Sequence, residues 1–423
     1  MSALAVTEIV VTPVAFHDPP LLNAVGVHEP FALRAVVEVR TDAGISGLGE
    51  TYGDAEHLAL LEAVVPEVIG LDVFALNQLR QRIGTALGGS ARADRHGTTG
   101  QVTATGTVDR VFSALEVACL DAQGKAVGRS VSDLLGGAVR RAVPYSAYLF
   151  YKWAAHPGDD PDRFGAAVDP AGIVEQARRM VADFGFSAIK LKGGVFAPDE
   201  EVQAILALHE AFPDLPLRLD PNAAWTVPTS IKVGRALEGA LEYLEDPTPG
   251  IPGMAEVARS VPMPLATNMC VVSFDQFPEA VAESPVQIVL SDHHFWGGLT
   301  RSRLLAGLCD TFGLGLSMHS NSHLGISLAA MTHVGAATPN LTYACDTHWP
   351  WKDPAEDVIV PGALGFAAGS VAVPTGPGLG VDLDRDALAR LHEQYLGCGV
   401  RTRDDTAYRR RFDPDFAPAA ARW

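Results

Sequence analysis

Short hydrophobic runs separated by turns occupy the first part of the chain. Three runs rich in β-branched residues cover 6–11, 33–40 and 45–50. The stretch Thr41-Asp42-Ala43-Gly44 predicts a turn between the last two, so the region is typical of an antiparallel meander. Apolar residues then recur every three to four positions, which predicts helices over 56–69, 77–87 and 111–127. Residues 1–137 are therefore predicted to form an N-terminal α+β capping domain.

From Val143 onward, the pattern changes to a β-run, a polar loop and an amphipathic helix, repeated along the chain. Eight β-runs are predicted, over 143–150, 187–192, 215–220, 241–245, 264–268, 286–292, 313–319 and 341–346. Between the first two, apolar residues from Ile173 to Phe184 form one helical stripe that would lie on a sheet. Eight strands alternating with helices predict a (β/α)₈-type barrel over 138–373. Residues 374–423 are predicted to be a C-terminal extension that packs on the capping domain.

Composition and charge narrow the class of protein. The chain has 423 residues, 48% hydrophobic and 19% charged, which favours a large globular protein. The net charge of −18 argues against nucleic acid or an anionic membrane as a partner. Five cysteines without a CxxC pair do not suggest a disulfide framework, and no export signal or run of 18 uncharged apolar residues is present. We therefore expect a cytoplasmic protein.

Polar residues end seven successive barrel strands. They are Lys190 and Lys192, Asp220, Glu245, Asn268, Asp292, His319 and Asp346. A single strand-end Asp is often a helix cap, and a single His is often a structural residue, but seven such ends in a row are hard to explain in this way. Because the carboxyl ends of barrel strands face one mouth, these side chains should converge there, where active sites of this fold lie.

The residue types suggest a metal and two bases. Asp220, Glu245 and Asn268 offer only oxygen ligands, which suits Mg²⁺, although a hydrogen-bonded polar layer is the alternative. Lys190 and Lys192 share one face of their strand, so mutual repulsion and burial should lower the pKa of at least one. An exposed edge strand would also explain two lysines, but fits poorly between βα units. Asp292 beside His319 would fix the tautomer of the imidazole and raise its basicity.

Such a site suits removal of a proton beside a carboxylate. The enediolate that results carries two negative charges on adjacent oxygens, and a divalent cation with a lysine neutralises them as they develop.

The same residues stand in motifs that resemble the glucarate dehydratase family of the enolase superfamily. The motifs are KLK at 190–192, DPNAAW at 220–225, EDP at 245–247, ATN at 266–268, SDHHFWGG at 291–298 and SMHSNSHLGIS at 317–327. Matching segments near His28, Tyr148, Asp346 and Arg403 extend the similarity to nearly the whole chain. Two features depart from the pattern, namely His293 and a short loop over 151–169, and both could alter which diacid fits.

The resemblance implies a mechanism. Asp220, Glu245 and Asn268 would hold Mg²⁺, which would bind one carboxylate of an aldaric acid. Lys192 on one face, and His319 with Asp292 on the other, would be the bases for C5, and Lys190 would stabilise the enediolate. Loss of the 4-hydroxyl, assisted by His319, would give 5-dehydro-4-deoxyglucarate. The implied substrate contacts are His28, Tyr148, Phe150, Asn222, Ser320, Asn321, His348 and Arg403. Asn222 is also counted among the catalytic residues.

The expected substrates are D-glucarate and its C5 epimer L-idarate, and the protein is expected to be a homo-oligomer. Three alternatives remain open at this point. The substrate could be galactarate or a monocarboxylate sugar acid, or the protein could be a relative with poor glucarate turnover. A barrel lysine could instead form a Schiff base, as in aldolases. Finally, the protein could bind a sugar acid through a metal without turning it over.

Overall fold

The computed structural model describes residues 4–89, 104–418 and 421–423. Its N-terminal part begins with five strands, β1 Val6–His17, β2 Leu22–Asn23, β3 Gly26–Val27, β4 Phe31–Thr41 and β5 Ser46–Tyr52. Strands β1, β4 and β5 form an antiparallel sheet in that order, which confirms the predicted meander. Strands β2 and β3 form a separate hairpin that the sequence did not predict.

Four helices follow this sheet. They are α1 Ala55–Val68, α2 Leu76–Leu87, α3 Ala104–Val127 and α4 Val131–Leu134. Helix α3 packs closely on β5 because two glycines of the strand leave room for its backbone. A Cβ atom on Gly47 would lie 1.9 Å from the carbonyl oxygen of Ala118, and one on Gly49 would lie 2.2 Å from that of Ala114. The two elements therefore fix each other's position.

A seven-stranded parallel sheet forms the second part of the molecule. Its region contains strands β6 Ala142–Pro144, β7 Ala147–Phe150, β8 Ile189–Lys192, β9 Leu217–Asp220, β10 Tyr243–Glu245, β11 Leu265–Thr267, β12 Ile288–Ser291 and β13 Gly315–Met318. The α-helices of this region are α5 Pro170–Phe184, α6 Pro198–Ala211, α7 Val227–Ala236, α8 Ile251–Ala258, α9 Phe277–Glu283, α10 His293–Trp296, α11 Gly298–Thr311 and α12 Gly325–Ala336. Neighbouring strands pair in the order β13-β12-β11-β10-β9-β8-β7, which confirms the α/β barrel class.

Local sequence explains how these units are built. Helix α5 begins after Asp169, whose side chain accepts a hydrogen bond from the Gly172 amide, and it ends at Gly185 in the left-handed conformation. Its buried face includes Ile173 and Met180 from the predicted stripe. Helix α5 thus connects β7 to β8, and these two strands pair in parallel.

The C-terminal part of the chain packs against both the N-terminal part and the region of the barrel. It contains β14 Phe366–Ala367, β15 Ser370–Ala372, α13 Arg385–Gly397 and α14 Asp405–Arg410. Helix α13 packs against β1, where Tyr395 joins Ala15 and Leu33 in an apolar cluster, as predicted for an extension that packs on the capping domain. Strand β15 pairs with β6 instead. No α-helix in the described ranges has the length and apolar content needed to cross a membrane.

Two of the predicted barrel strands are wrong in detail. The first run, 143–150, is divided between β6 and β7, and β6 pairs outside the barrel. The last run, 341–346, is not a regular strand. The amides of Thr342 and Tyr343 both donate to the carbonyl of Leu316, which breaks the alternation that a strand ladder requires. This segment still closes the barrel, because it bonds to β13 on one side and bridges the first-strand region at Cys345 on the other.

Candidate active site

Three oxygen-bearing side chains lie at the carboxyl ends of adjacent strands. Asp220 ends β9, Glu245 ends β10 and Asn268 directly follows β11, and all three are buried. Within the described part of the chain, Glu245 Oε1 and Asn268 Oδ1 have no hydrogen-bond partner. Buried acceptors without donors are rare in proteins, and oxygen atoms of this kind are the ligands that Mg²⁺ prefers. These three oxygen-bearing side chains therefore fit a site for a divalent cation better than they fit a polar layer in which every hydrogen bond is made.

Asp246 positions the amide ligand, a role that the sequence did not predict. Its Oδ2 accepts from the backbone N–H of Asn268 at 2.7 Å, and its Oδ1 accepts from Thr267 Oγ1 at 2.5 Å. Burial raises the pKa of Asp246 to about 7. Asp246 lies within the EDP motif, and this motif could have indicated it. The sequence analysis assigned only its neighbour Glu245 a role, as a metal ligand.

Lys192 enters the cavity at the barrel mouth. It ends β8 opposite Asp220 in β9, and its Nζ donates to Asp220 Oδ2 at 2.6 Å and to Asn222 Oδ1 at 2.8 Å. Asn222 and Ala223 adopt left-handed backbone conformations, with φ of 54° and 59°. This tight turn brings the side-chain amide of Asn222 back towards Lys192.

Lys190 lies deeper than Lys192. Its Nζ is 2.6 Å from Asp346 Oδ2 and from Glu245 Oε2, and 4.6 Å from the centre of the Tyr148 ring. Burial favours the neutral amine, but Asp346 and Glu245 outweigh it and raise the pKa of Lys190 well above its usual value. The predicted lowering therefore does not apply to this lysine. Asp346, which the sequence analysis noted only as a strand end, holds the ammonium group of Lys190 in place.

His319 follows β13 and faces the same cavity. Its Nδ1 lies 3.0 Å from Asp292 Oδ2. Burial alone would raise the pKa of Asp292, but the neighbouring His294 and His319 lower it well below its usual range. Asp292 is therefore an acceptor, so Nδ1 of His319 donates to it, and Nε2 remains as the basic atom.

The cavity gathers most of the predicted substrate contacts. It is lined by Asn23, Val25, His28, Tyr148, Phe150, Lys192, Asn222, His319, Asn321, Ser322, His348, Arg403 and Asp405. Ser320, also predicted, is placed behind this lining, with its Oγ 3.1 Å from His348 Nδ1. Burial lowers the pKa of His348 well below its usual value, so this ring is neutral. Asn23, Val25, Ser322 and Asp405 were not predicted as contacts. Ser322 lies within the SMHSNSHLGIS motif and Asp405 lies two residues after Arg403, but neither was singled out.

One end of the cavity combines Arg403 and His28 with two carboxylates. Asp405 accepts from Arg403 Nε at 2.7 Å and from Nη2 at 2.9 Å. Asp18 Oδ2 lies 2.9 Å from His28 Nδ1 and 3.5 Å from Arg403 Nη1. These acidic partners orient two donors that the sequence predicted as substrate contacts.

The Arg403–Asp405 pair should contribute to stability in acid. Burial raises the pKa of Asp405, but Arg403 outweighs burial and lowers it to about 2, against roughly 3.9 for an unfolded Asp. Because the folded-state pKa is the lower one, the contribution is present above about pH 4 and is lost as pH falls towards 2. Between pH 5 and 2, the wild type should lose about 2 kcal/mol more unfolding free energy than Asp405→Asn in urea titrations. Equal losses would contradict this, and Asp415→Asn, at an exposed position, is the control.

Comparison with known proteins agrees with this arrangement. The family model described as mandelate racemase / muconate lactonizing enzyme, N-terminal domain, matches residues 6–136, and the model described as enolase C-terminal domain-like matches residues 172–387. A probable glucarate dehydratase from Streptomyces coelicolor is 52% identical over 99% of both chains. A structure of an enolase from Thermobispora bispora, complexed with magnesium and formate, is 64% identical, with a TM-score of 0.98 over 99% of this chain and 100% of the other.

A second structure points the same way. An enolase from Mycobacterium smegmatis, complexed with tartrate, is 68% identical, with a TM-score of 0.96 over 100% of this chain and 99% of the other. The matched regions include the strands that carry the lysines, the oxygen ligands and the histidine. The chain therefore belongs to the enolase superfamily and, within it, to the family of the probable glucarate dehydratase from Streptomyces coelicolor.

Proposed function

We propose that this protein is a Mg²⁺-dependent dehydratase that converts D-glucarate and L-idarate to 5-dehydro-4-deoxy-D-glucarate. One observation carries the proposal: Lys192 and His319, from separate strands, line a single cavity beside a set of buried oxygen ligands. The relative named as a probable glucarate dehydratase, and structures with magnesium or tartrate bound, support the same chemistry.

Asp220, Glu245 and Asn268 would hold the ion. When bound, Mg²⁺ supplies positive charge that stabilises the negative charge developing on a substrate carboxylate. In the proposed reaction, Lys192 removes the C5 proton from one epimer and His319 removes it from the other. His319 then donates a proton to the departing 4-hydroxyl, so that H and OH leave together as water, and the enol product tautomerises to the keto acid.

The other end of the cavity supports a diacid as the substrate. Arg403 and His28 lie there with their orientation fixed by Asp405 and Asp18. Asp405 uses the Nε–Nη2 edge of the guanidinium, so the edge formed by Nη1 and Nη2 is the one that can donate to a substrate carboxylate. A monocarboxylate sugar acid has no second carboxylate to accept from these donors, so it is the less favoured substrate. The expected cytoplasmic homo-oligomer stays a prediction of the sequence.

The test is an assay for an α-keto acid. Purified protein with Mg²⁺ and either D-glucarate or L-idarate should form a product that reacts with semicarbazide. Chelation should abolish the reaction, and added Mg²⁺ should restore it. D-gluconate, which lacks the second carboxylate, is the matched control and should react far more slowly. Product from galactarate alone would reassign the substrate, and no product from any of these acids would refute the dehydratase proposal.

A further inference from the structure

Asp292 is held by two histidines. His294 is the second residue of α10, and both its backbone nitrogen and its Nδ1 lie 2.9 Å from Asp292 Oδ1. The other oxygen, Oδ2, meets His319 Nδ1 at 3.0 Å. Each carboxylate oxygen therefore has its own imidazole, and rotation of Asp292 would break both contacts. The sequence analysis assigned only His319 to this carboxylate.

Arg34 fixes the tautomer of His294. Its Nη2 lies 2.8 Å from His294 Nε2, and both side chains are buried. A guanidinium can only donate, so Nε2 of His294 accepts and its proton is carried on Nδ1. That tautomer is the one that can donate to Asp292. Ser327 Oγ, 3.2 Å from the same Nε2, is compatible with this assignment.

The capping domain supplies the rest of this chain of contacts. Arg34 on β4 donates through Nε to Glu50 Oε1 on β5 at 2.8 Å. Glu50 in turn accepts from the amides of Leu324 at 2.9 Å and Ser327 at 2.7 Å, in the segment that follows His319. Burial opposes the charge on Glu50, but Arg34 outweighs burial and lowers its pKa. Strands β4 and β5 thus hold both the dyad formed by Asp292 and His319 and the start of α12.

We infer that His294 is a positioning residue for the His319 half of the site, oriented by Arg34 and Glu50 of the capping domain. This inference rests on the proposed function. By holding Asp292, His294 keeps Nδ1 of His319 protonated and its Nε2 directed at the substrate. Lys192 has no contact with these groups, because its described partners are Asp220 and Asn222. Loss of His294 should therefore damage one face of the reaction and leave the other.

The experiment compares exchange of the C5 proton from D-glucarate and L-idarate in D₂O by ¹H NMR. His294→Phe preserves the ring volume but removes both nitrogens. It should lower exchange from the epimer served by His319 at least tenfold relative to the other epimer. His294→Asn can place an amide donor near the position of Nδ1 and should recover most of the lost ratio. The control is His209→Phe, since His209 is a half-buried histidine on α6 that does not line the cavity; the ratio should not change.

The inference is overturned if His294→Phe lowers both exchange rates equally, or lowers neither. If His294→Phe does not fold, His294→Gln serves, because its amide reaches towards Arg34 and leaves Asp292 Oδ1 without a side-chain donor. ¹⁵N spectra of histidine-labelled protein provide a readout without substrate. His319 should carry its proton on Nδ1 in the wild type and change its tautomer population in the variant. Unchanged His319 signals would overturn the inference, whereas absence of exchange in the wild type would refute only the proposed function.

Discussion

Replacing His319 with asparagine is expected to lower dehydration of D-glucarate by about 10²–10⁴-fold, the contribution typical of a general acid or base. The amide of asparagine can take the place of Nδ1 and donate to Asp292, so the buried carboxylate keeps a partner. The variant has nothing in the place of Nε2, which the proposed mechanism uses both to remove a proton and to assist the leaving hydroxyl. The loss should therefore fall on turnover, with the fold preserved.

Steady-state kinetics and isotope exchange together check this prediction. Exchange at C5 should disappear from one epimer and persist from the epimer served by Lys192. The reciprocal variant, Lys192→Ala, should show the opposite selectivity and is the matched control. Equal loss of exchange from both epimers in His319→Asn would show that the histidine supports the site without acting on one face of the substrate.

Glu245→Gln is expected to weaken Mg²⁺ binding by roughly 100-fold or more, since even the loss of an outer partner of a metal ligand typically costs 10–100-fold. The substitution keeps the shape of the side chain and removes its charge. Isothermal titration of Mg²⁺ into the metal-free protein measures the effect directly, and turnover should fall with it. Glu238→Gln, at an exposed position on the loop before β10, is the control.

The same variant should not lose stability without metal. Burial, and then the neighbouring Asp220, outweigh the ion pair with Lys190 and raise the pKa of Glu245 well above its usual value, so the charged form is unfavourable in the folded protein. A neutral amide removes that cost. The melting temperature in the presence of chelator should therefore equal or exceed that of the wild type. Unchanged Mg²⁺ affinity would exclude Glu245 as a ligand.

The strand-end residues could be predicted because each follows a buried apolar run. Asp220, Glu245 and His319 stand out in this way, and the parallel topology then requires that they meet. The eighth strand could not be predicted correctly, because the shared acceptor of Thr342 and Tyr343 is a tertiary contact that no local pattern shows.

The supporting residues were missed for a related reason. Arg34 and Glu50 lie in strands whose alternation makes them look like ordinary polar positions, yet both are buried against the barrel. His294 stands beside the residue to which the dyad was assigned and carried no separate signal. A pairing between residues 260 positions apart, as for Arg34 and His294, follows only from the packing of two domains.

The contact between β4, β5 and the barrel has a consequence for engineering within this superfamily. Chimeras that join the N-terminal domain of one relative to the barrel of another are an obvious way to change which sugar acid is accepted. Here such an exchange would also replace the arginine and the glutamate that brace the imidazole at the base of the dyad. Grafted domains should retain full turnover only when Arg34, Glu50 and His294 are transferred as a set.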